Sequence, residues 1–150
     1  MKIYFASDHA GFELKQKLIS FVVELGHEVI DKGDFAPTPD DDYPDFIALA
    51  ASEVSKDKEA KAIIIGGSGE GEAMVANRFS NVRAAAWYGD SLEIVKLSRE
   101  HNDANVLSIG ARFVDEEKAK EAVKLWLATE FSGDERHIRR IKKIERIRYA

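Results

Sequence analysis

The sequence predicts an α/β protein whose single domain, residues 1–150, contains a five-stranded parallel sheet covered by helices on both faces. Two observations carry this prediction. Five short apolar runs alternate with longer segments that place their apolar residues on one helical face. The 150 residues, 45% of them hydrophobic, include no internal repeat, low-complexity segment or linker that would divide the chain. A chain of this length buries roughly two-thirds of its unfolded surface, so we expect a substantial core.

The strands are the short apolar runs, each of which is followed by small or polar residues. The first leads into a polar segment that begins at Asp8, and the third leads into a run of glycines. We place the five strands at residues 3–6, 27–31, 62–65, 82–87 and 105–109.

The helices are predicted from apolar residues at helical spacing and from capping residues. The first ends at Gly26, the fourth is capped by Asp90 or Ser91 and ends near His101, and the fifth is capped by Asp115. The remaining helices are placed at residues 43 to about 55, 72–78 and about 134–148.

Residues 62–78, AIIIGGSGEGEAMVANR, combine a strand, a glycine-rich bend and the start of a helix. Glycines let the backbone approach a ligand closely, and a helix start offers free N–H groups to an anion. A phosphate or an enediolate would suit this bend, and Glu72 lies where the helix begins. The bend lacks the lysine of a P-loop and does not follow the first strand, where a dinucleotide fingerprint belongs. A tight turn without a ligand remains an alternative.

Composition excludes several classes of protein and site. The chain has no cysteine, so it has no disulfide, thiolate metal site or catalytic thiol. Its net charge of −5 opposes general nucleic-acid binding, although the C-terminal segment is basic. No apolar run is long enough to span a membrane, and no signal peptide is evident, so we expect a cytoplasmic protein. The histidines lack zinc-like spacing, and residues 40–42, three aspartates, are expected to be a solvated loop rather than a calcium site.

Polar residues collect where the predicted strands end. Asp8 and His9 follow the first strand, Glu72 follows the third, and Arg112 follows the fifth. Ligands of open parallel sheets bind beyond the carboxyl ends of the strands, so we expect these four side chains near one edge. Each also has a purely structural interpretation, such as a helix cap for Asp8 or a favourable helix-start charge for Glu72.

Two further groups do not directly follow a predicted strand. His101 and Asn102 end the fourth helix, and a short link returns the chain toward the sheet. The last helix has isoleucines every third residue with basic residues between them. It is either a solvated basic helix or one that packs on a partner subunit and delivers Arg136 and Arg140 to an anionic ligand.

Taken together, these motifs resemble the type-B ribose-5-phosphate isomerases, a family that includes isomerases of allose and galactose 6-phosphate. The resemblance covers nearly the whole chain in order, and the combination is specific where single motifs are not. It is carried by SDHAG at residues 7–11, DYP at 42–44, GGSGEGEAMVANR at 66–78, SREHN at 98–102 and RH at 136–137.

The resemblance implies a Rossmann-like three-layer α/β/α sandwich, a homodimer or tetramer, and no cofactor or metal. It implies aldose–ketose isomerisation of a sugar phosphate through a cis-enediolate. One branch of the family uses a cysteine at the end of the third strand as the base, but that position is Gly66 here. The other branch uses a glutamate at the start of the following helix, which Glu72 matches.

The resemblance also implies roles for the other residues. Glu72 shuttles a proton between C2 and C1, while Ser68 and the backbone of Gly67, Gly69 and Gly71 hold the oxyanion. His101 or Asp8 helps to open the sugar ring. The remaining positions bind substrate: Asn102 holds a sugar oxygen, and the phosphate is surrounded by His9, Arg112, Arg136 and Arg140, the last two reaching a neighbouring subunit's site.

The sequence favours ribose 5-phosphate as substrate and leaves three questions open. A six-carbon sugar phosphate, or a non-catalytic phosphate- or nucleotide-binding module, would use many of the same features. Burial would raise the pKa of Glu72, whereas the helix dipole would lower it. Glu70 is the rival carboxylate two residues away.

Overall fold

The computed structural model describes residues 1–147 and has one five-stranded sheet in which every pair of neighbouring strands is parallel, as predicted. The strand order is β2-β1-β3-β5-β4. The middle strands are buried along nearly their whole length, which explains their continuous apolar sequences. The strands are β1 (Lys2–Ser7), β2 (Glu28–Asp31), β3 (Lys61–Gly66), β4 (Ala84–Trp87) and β5 (Val106–Gly110).

Helices cover both faces of the sheet, which gives the three-layer α/β/α architecture. The helices are α1 (Phe12–Glu24), α2 (Tyr43–Lys56), α3 (Glu70–Ala76), α4 (Leu92–Glu100), α5 (Glu116–Ala128) and α6 (Glu135–Arg146). Alternate residues of one strand face opposite layers, so Ile63 and Ile65 pack with α1, α4 and α5, whereas Ile64 packs with α2 and α3.

Several predicted boundaries differ from the observed ones. The fourth strand begins at Ala84, two residues later than expected, and the helix after the glycine bend spans Glu70–Ala76 instead of 72–78. That helix starts earlier because Gly69 adopts a left-handed φ of 81°, which turns the chain into the helix. Ser91, not Asp90, caps α4 by accepting a hydrogen bond from the N–H of Glu93. The predicted end of the last helix at 148 lies outside the described residues.

The parallel sheet has two distinct edges. All strands end at the carboxyl edge, where Asp8, the glycine bend and Arg112 follow β1, β3 and β5. Each helix that follows a strand runs back toward the amino edge, where the strands begin. The end of α4 therefore lies at the amino edge, and the turn that follows the helix contacts Arg83, the residue before β4. This separation decides which candidate residues can meet.

Helix α6 packs against its own chain at the amino edge. Glu145 pairs with Arg83 at 2.7 Å, and the N–H of Ser132, just before the helix, donates to the Glu100 carbonyl. Ile144 stays half-exposed on another face of the helix. Of the helices formed by residues 1–147, none combines the length and the apolar character that a membrane crossing requires.

Candidate active site

Glu72 occupies the centre of the carboxyl edge. Its side chain is on the first turn of α3 and only 4% of the residue is exposed. The carboxylate lies directly over Gly66, the last residue of β3, where a Cβ atom would overlap it. Only glycine at position 66 leaves room for this carboxylate, so the strand end and the helix start together form its seat.

Burial raises the pKa of Glu72, and the negative charge of Asp8 adds to that increase. Backbone N–H groups of Glu72 and Gly69 act in the opposite direction. The effect of burial on the pKa of Glu72 therefore outweighs the opposite effect of the helix start. A buried carboxylate with a raised pKa is a stronger proton acceptor than an exposed one, as a general base requires.

The glycine bend is held tightly against the end of β5. The Ser108 hydroxyl donates to the Gly69 carbonyl at 2.6 Å, and the N–H of Ala111 donates to the Gly66 carbonyl at 2.8 Å. On the outer side, the Tyr43 hydroxyl packs so closely on Gly71 that a Cβ atom there would clash with it. Within the bend, Ser68 accepts a hydrogen bond from the N–H of Glu70. The backbone of residues 67–71 is therefore fixed before any ligand arrives.

Arg112 lies against this bend. Its N–H donates to the Gly67 carbonyl at 3.1 Å, and its guanidinium faces the α-carbon of Gly67. The positive charge of Arg112 also reaches His9, whose pKa it tends to lower. Asp8, which is 7% exposed, accepts hydrogen bonds from the N–H groups of Ala10 and Gly11 and so caps the turn that carries His9.

Asp8, His9, Glu72 and Arg112 are thus brought to one edge, as the strand-end rule predicted. Together with Ser68 and the backbone of residues 67–71, they form what we call the carboxyl-edge cluster. Glu70 is exposed and lines a neighbouring cavity of about 480 Å³ together with Ser68, Tyr88 and Phe113. Burial therefore distinguishes the two carboxylates, because Glu70 is exposed and Glu72 is buried.

The expectation of a solvated loop at residues 40–42 is wrong for Asp41. Its side chain is only 7% exposed and its Oδ1 lies 2.5 Å from Nδ1 of His9. The hydrogen bond to Asp41 raises the pKa of His9 and so favours the imidazolium. Burial would raise the pKa of Asp41, but the hydrogen bond and the charge of His9 act against it, and the pKa is lowered. No sequence motif indicates this pair, because the two residues are 32 positions apart.

Lys15 anchors the loop that carries Asp41. The ammonium group is fully buried and donates to the Asp31 carboxylate at 2.9 Å and to the Asp34 carbonyl at 2.7 Å. A buried lysine with two such acceptors is satisfied, and it holds this loop against α1.

Asp8, His9 and Asp41 could each offer one ligand atom to a cation, and those atoms lie within 4.8 Å of one another. The Nδ1 atom of His9 is, however, hydrogen-bonded to Asp41 at 2.5 Å. A shared proton explains that contact, and the nearby guanidinium of Arg112 disfavours a second cation. We interpret the group as a hydrogen-bonded pair beside a helix cap.

His101 and Asn102 do not join the carboxyl-edge cluster of their own chain. They belong to the turn that follows α4 at the amino edge, where Arg83 donates to the Asn102 carbonyl. The sheet separates them from Glu72 by roughly 15–20 Å, about the length of a five- or six-residue strand. They therefore lie far from the Glu72 carboxylate of their own chain, although the link that follows them leads back to the sheet at β5, as predicted.

The amino edge instead collects a second set of candidate residues. The rings of His101 and His137 stack with their centroids 4.3 Å apart. Burial and the charges of His101, Arg136 and Arg140 lower the pKa of His137. Arg136 and Arg140 are exposed on α6. We call His101, Asn102, Arg136, Arg140 and the stacked His137 the amino-edge cluster.

Comparison with known proteins gives a consistent result. A family model described as Ribose/Galactose Isomerase matches residues 3–144. Ribose-5-phosphate isomerase B of Mycolicibacterium paratuberculosis is 43% identical over 142 residues, covering 94% of this chain and 87% of that protein. The protein of the same name from Escherichia coli is 39% identical, covering 97% and 95%.

Solved structures agree with the sequence matches. The crystal structure of ribose-5-phosphate isomerase B from Mycoplasma genitalium with bound ribulose 5-phosphate superposes with a TM-score of 0.92 at 38% identity. That match covers 97% of this chain and 94% of the other. The corresponding structure from Clostridium thermocellum gives a TM-score of 0.89 at 40% identity, covering 97% and 95%.

Proposed function

The chain belongs to the ribose/galactose isomerase family, and on that premise we propose that it interconverts ribose 5-phosphate and ribulose 5-phosphate. It is an aldose–ketose isomerase that works through a cis-enediolate, in the non-oxidative part of pentose phosphate metabolism and in the cytoplasm. The observation that carries the mechanism is the buried Glu72 carboxylate, seated over Gly66 with a raised pKa.

Glu72 acts as the base. It removes the proton from C2 of the open-chain aldose, and the electron pair of the C–H bond forms the C1–C2 double bond while the carbonyl oxygen becomes an oxyanion. The C2 hydroxyl then gives its proton to the C1 oxygen, Glu72 returns its own proton to C1, and C2 becomes the carbonyl carbon of the ketose. One carboxyl group suffices because the two carbons are adjacent and the proton moves along one face.

The glycine bend holds the oxyanion. The N–H groups of Gly67, Ser68 and Gly71 and the Ser68 hydroxyl are the donors in this proposal, because the N–H groups of Gly69 and Glu70 already donate to Glu72 and Ser68. Because the bend is tied to β5 through Ser108 and Ala111, these donors need no rearrangement during the reaction. One preorganised donor of this kind is typically worth about a hundredfold in rate.

The phosphate is bound at the other end of the substrate by cationic side chains. His9 contributes as an imidazolium, because its hydrogen bond to Asp41 raises its pKa. Arg112 contributes from the same edge. Binding a remote phosphate orients the reacting carbons against Glu72, which accelerates the reaction without touching the bonds that change.

The remaining residues come from a second copy of the chain. One chain has its two clusters at opposite edges of the sheet, so neither cluster alone forms a complete site. A two-fold dimer that places the amino-edge cluster of one subunit on the carboxyl-edge cluster of the other completes two identical sites. Arg136 and Arg140 then bind the phosphate, and Asn102 holds a sugar oxygen. His101 of the second copy, or Asp8 of the first, opens the furanose ring.

The experiment that tests this function compares kcat/KM for ribose 5-phosphate, allose 6-phosphate and galactose 6-phosphate in a coupled assay. We expect ribose 5-phosphate to be preferred. A preference for either six-carbon sugar would replace the substrate and keep the mechanism. Thermal stabilisation by ATP but not by ribose 5-phosphate, without turnover, would instead identify a nucleotide-binding module.

A further inference from the structure

Arg83 lies at the amino edge, immediately before β4, and none of the roles above uses it. Its side chain is 17% exposed, which is low for an arginine outside a known site. Its backbone is paired with Asn105: the Arg83 N–H donates to the Asn105 side chain at 2.8 Å, and the Arg83 carbonyl accepts from the Asn105 N–H at 3.0 Å. The base of the side chain is therefore fixed to the start of β5.

The guanidinium of Arg83 holds the turn that carries His101 and Asn102. Its Nε donates to the carbonyls of Asn102 and Asp103 at 3.1 and 3.0 Å, and one terminal nitrogen lies 3.3 Å from the Asp103 carboxylate. Asp103 has a left-handed φ of 45°, which is unfavourable for a residue with a side chain. The turn thus depends on these contacts, to which Arg99 adds a 2.8 Å pair with the other Asp103 oxygen.

The same guanidinium also holds α6. Its second terminal nitrogen donates to Glu145 at 2.7 Å, and the other Glu145 oxygen accepts from the N–H of Asn81 at 3.2 Å. Glu145 lies on the helix that carries Arg136, His137 and Arg140. One planar side chain therefore contacts both elements that carry the amino-edge cluster.

We propose that Arg83 is a positioning residue for the isomerase reaction, fixing the His101–Asn102 turn and the arginine-bearing helix α6 relative to each other. This inference rests on the proposed function. In this proposal the amino-edge cluster is one rigid unit. A second copy of the chain presents that unit to the substrate in a single geometry. Arginine suits the role because its five donors lie in one fixed plane, whereas a lysine would supply one mobile ammonium.

If Arg83 formed only structural ion pairs, its variants would behave differently from variants of a positioning residue. Loss of a partly buried ion pair that is only structural lowers stability and leaves the chemistry unchanged. A positioning residue acts through two separable contacts, one on the turn and one on α6. Loss of the α6 contact alone changes phosphate affinity, whereas loss of both contacts also changes the rate of the step that His101 assists.

The test measures kcat and KM for ribose 5-phosphate, the affinity for inorganic phosphate by calorimetry, and Tm, on the full-length protein. For Arg83→Met we expect kcat/KM to fall about a hundredfold, the loss typical of misplacing groups by about 1 Å. Arg83→Lys keeps the charge but not the fork, so we expect a fall of about tenfold. Glu145→Gln should weaken phosphate binding about fivefold and leave kcat within about twofold, because it releases only α6.

Lys96→Met is the matched control, because it removes an exposed ion pair with Glu100 on the helix that precedes the turn. We expect its kinetics and phosphate affinity to equal those of the unmodified protein. If Arg83→Lys and Glu145→Gln lower Tm but leave kcat/KM and phosphate affinity unchanged, the inference is overturned, even if Arg83→Met does not fold. Absence of turnover in the unmodified protein would instead reject the proposed function, and phosphate affinity would still decide the role of Arg83.

Discussion

The two edges of the sheet are built in different ways. At the carboxyl edge, Glu72 and the glycine bend are seated on the ends of buried strands, and backbone hydrogen bonds fix them. At the amino edge, a helix end and α6 are joined mainly by side chains, with Arg83 between them. The difference teaches that backbone and strand ends hold the carboxyl-edge cluster, whereas side-chain ion pairs hold the amino-edge cluster.

Glu72→Gln is the change with the largest expected effect, because it removes the proposed base and keeps the shape of the side chain. We expect kcat to fall about a thousandfold, within the usual contribution of a general base. Binding of a product analogue should be retained. The matched control is Glu70→Gln, an exposed carboxylate two residues away, which should stay within about threefold. If the Glu70 variant is the inactive one, the carboxylate assignment is wrong.

Gly66→Ala tests whether the space above the end of β3 is needed to position the Glu72 carboxylate. The added Cβ atom overlaps the Glu72 carboxyl group, which must move. We expect kcat to fall about a hundredfold through misplacement of the base, while phosphate affinity changes little. Kinetics and calorimetry on the same preparation check this. Normal kcat in the Gly66→Ala protein would show that the position of Glu72 is not critical.

Mixing two inactive variants tests whether a site spans two subunits. Glu72→Gln disables the carboxyl-edge cluster, and His101→Gln disables the amino-edge cluster. In a mixed dimer one site receives both defects and the other receives none, so random exchange of subunits restores roughly a quarter of the activity. Co-refolded mixtures are assayed against each variant alone. No recovery despite demonstrated exchange would place all groups of a site in one chain.

Asp41→Asn has the smallest expected effect and acts through pH. Asp41 raises the pKa of His9, so the imidazolium persists to higher pH than in a free histidine and is lost as pH rises through that raised pKa. In the variant the positive charge is lost at lower pH, and KM for the sugar phosphate should rise about fivefold near pH 7.5. Below about pH 6, under the usual pKa of a histidine, the two proteins should converge. A KM ratio that does not change with pH would exclude this role.

How much the sequence reveals depends on the range of each interaction. The sheet, its helices and the meeting of Asp8, His9, Glu72 and Arg112 follow from apolar periodicity and the strand-end rule. The partnership of His9 with Asp41 could not be predicted, because it depends on how the loop of residues 32–42 folds back. His101 lies at the opposite edge because a helix that follows a parallel strand runs back to where the strands begin. Arg83 carried no motif, and its role depends on the relative placement of three distant segments.

The carboxylate over Gly66 also limits which proton-accepting side chains can occur together at positions 66 and 72. A cysteine at position 66 and a glutamate at position 72, the two bases that the family resemblance implies, would bring their proton acceptors to nearly the same point in space. The two side chains would occupy the same volume, so a protein of this fold can hold either one in this place but not both. Replacing one acceptor by the other therefore requires paired changes at positions 66 and 72.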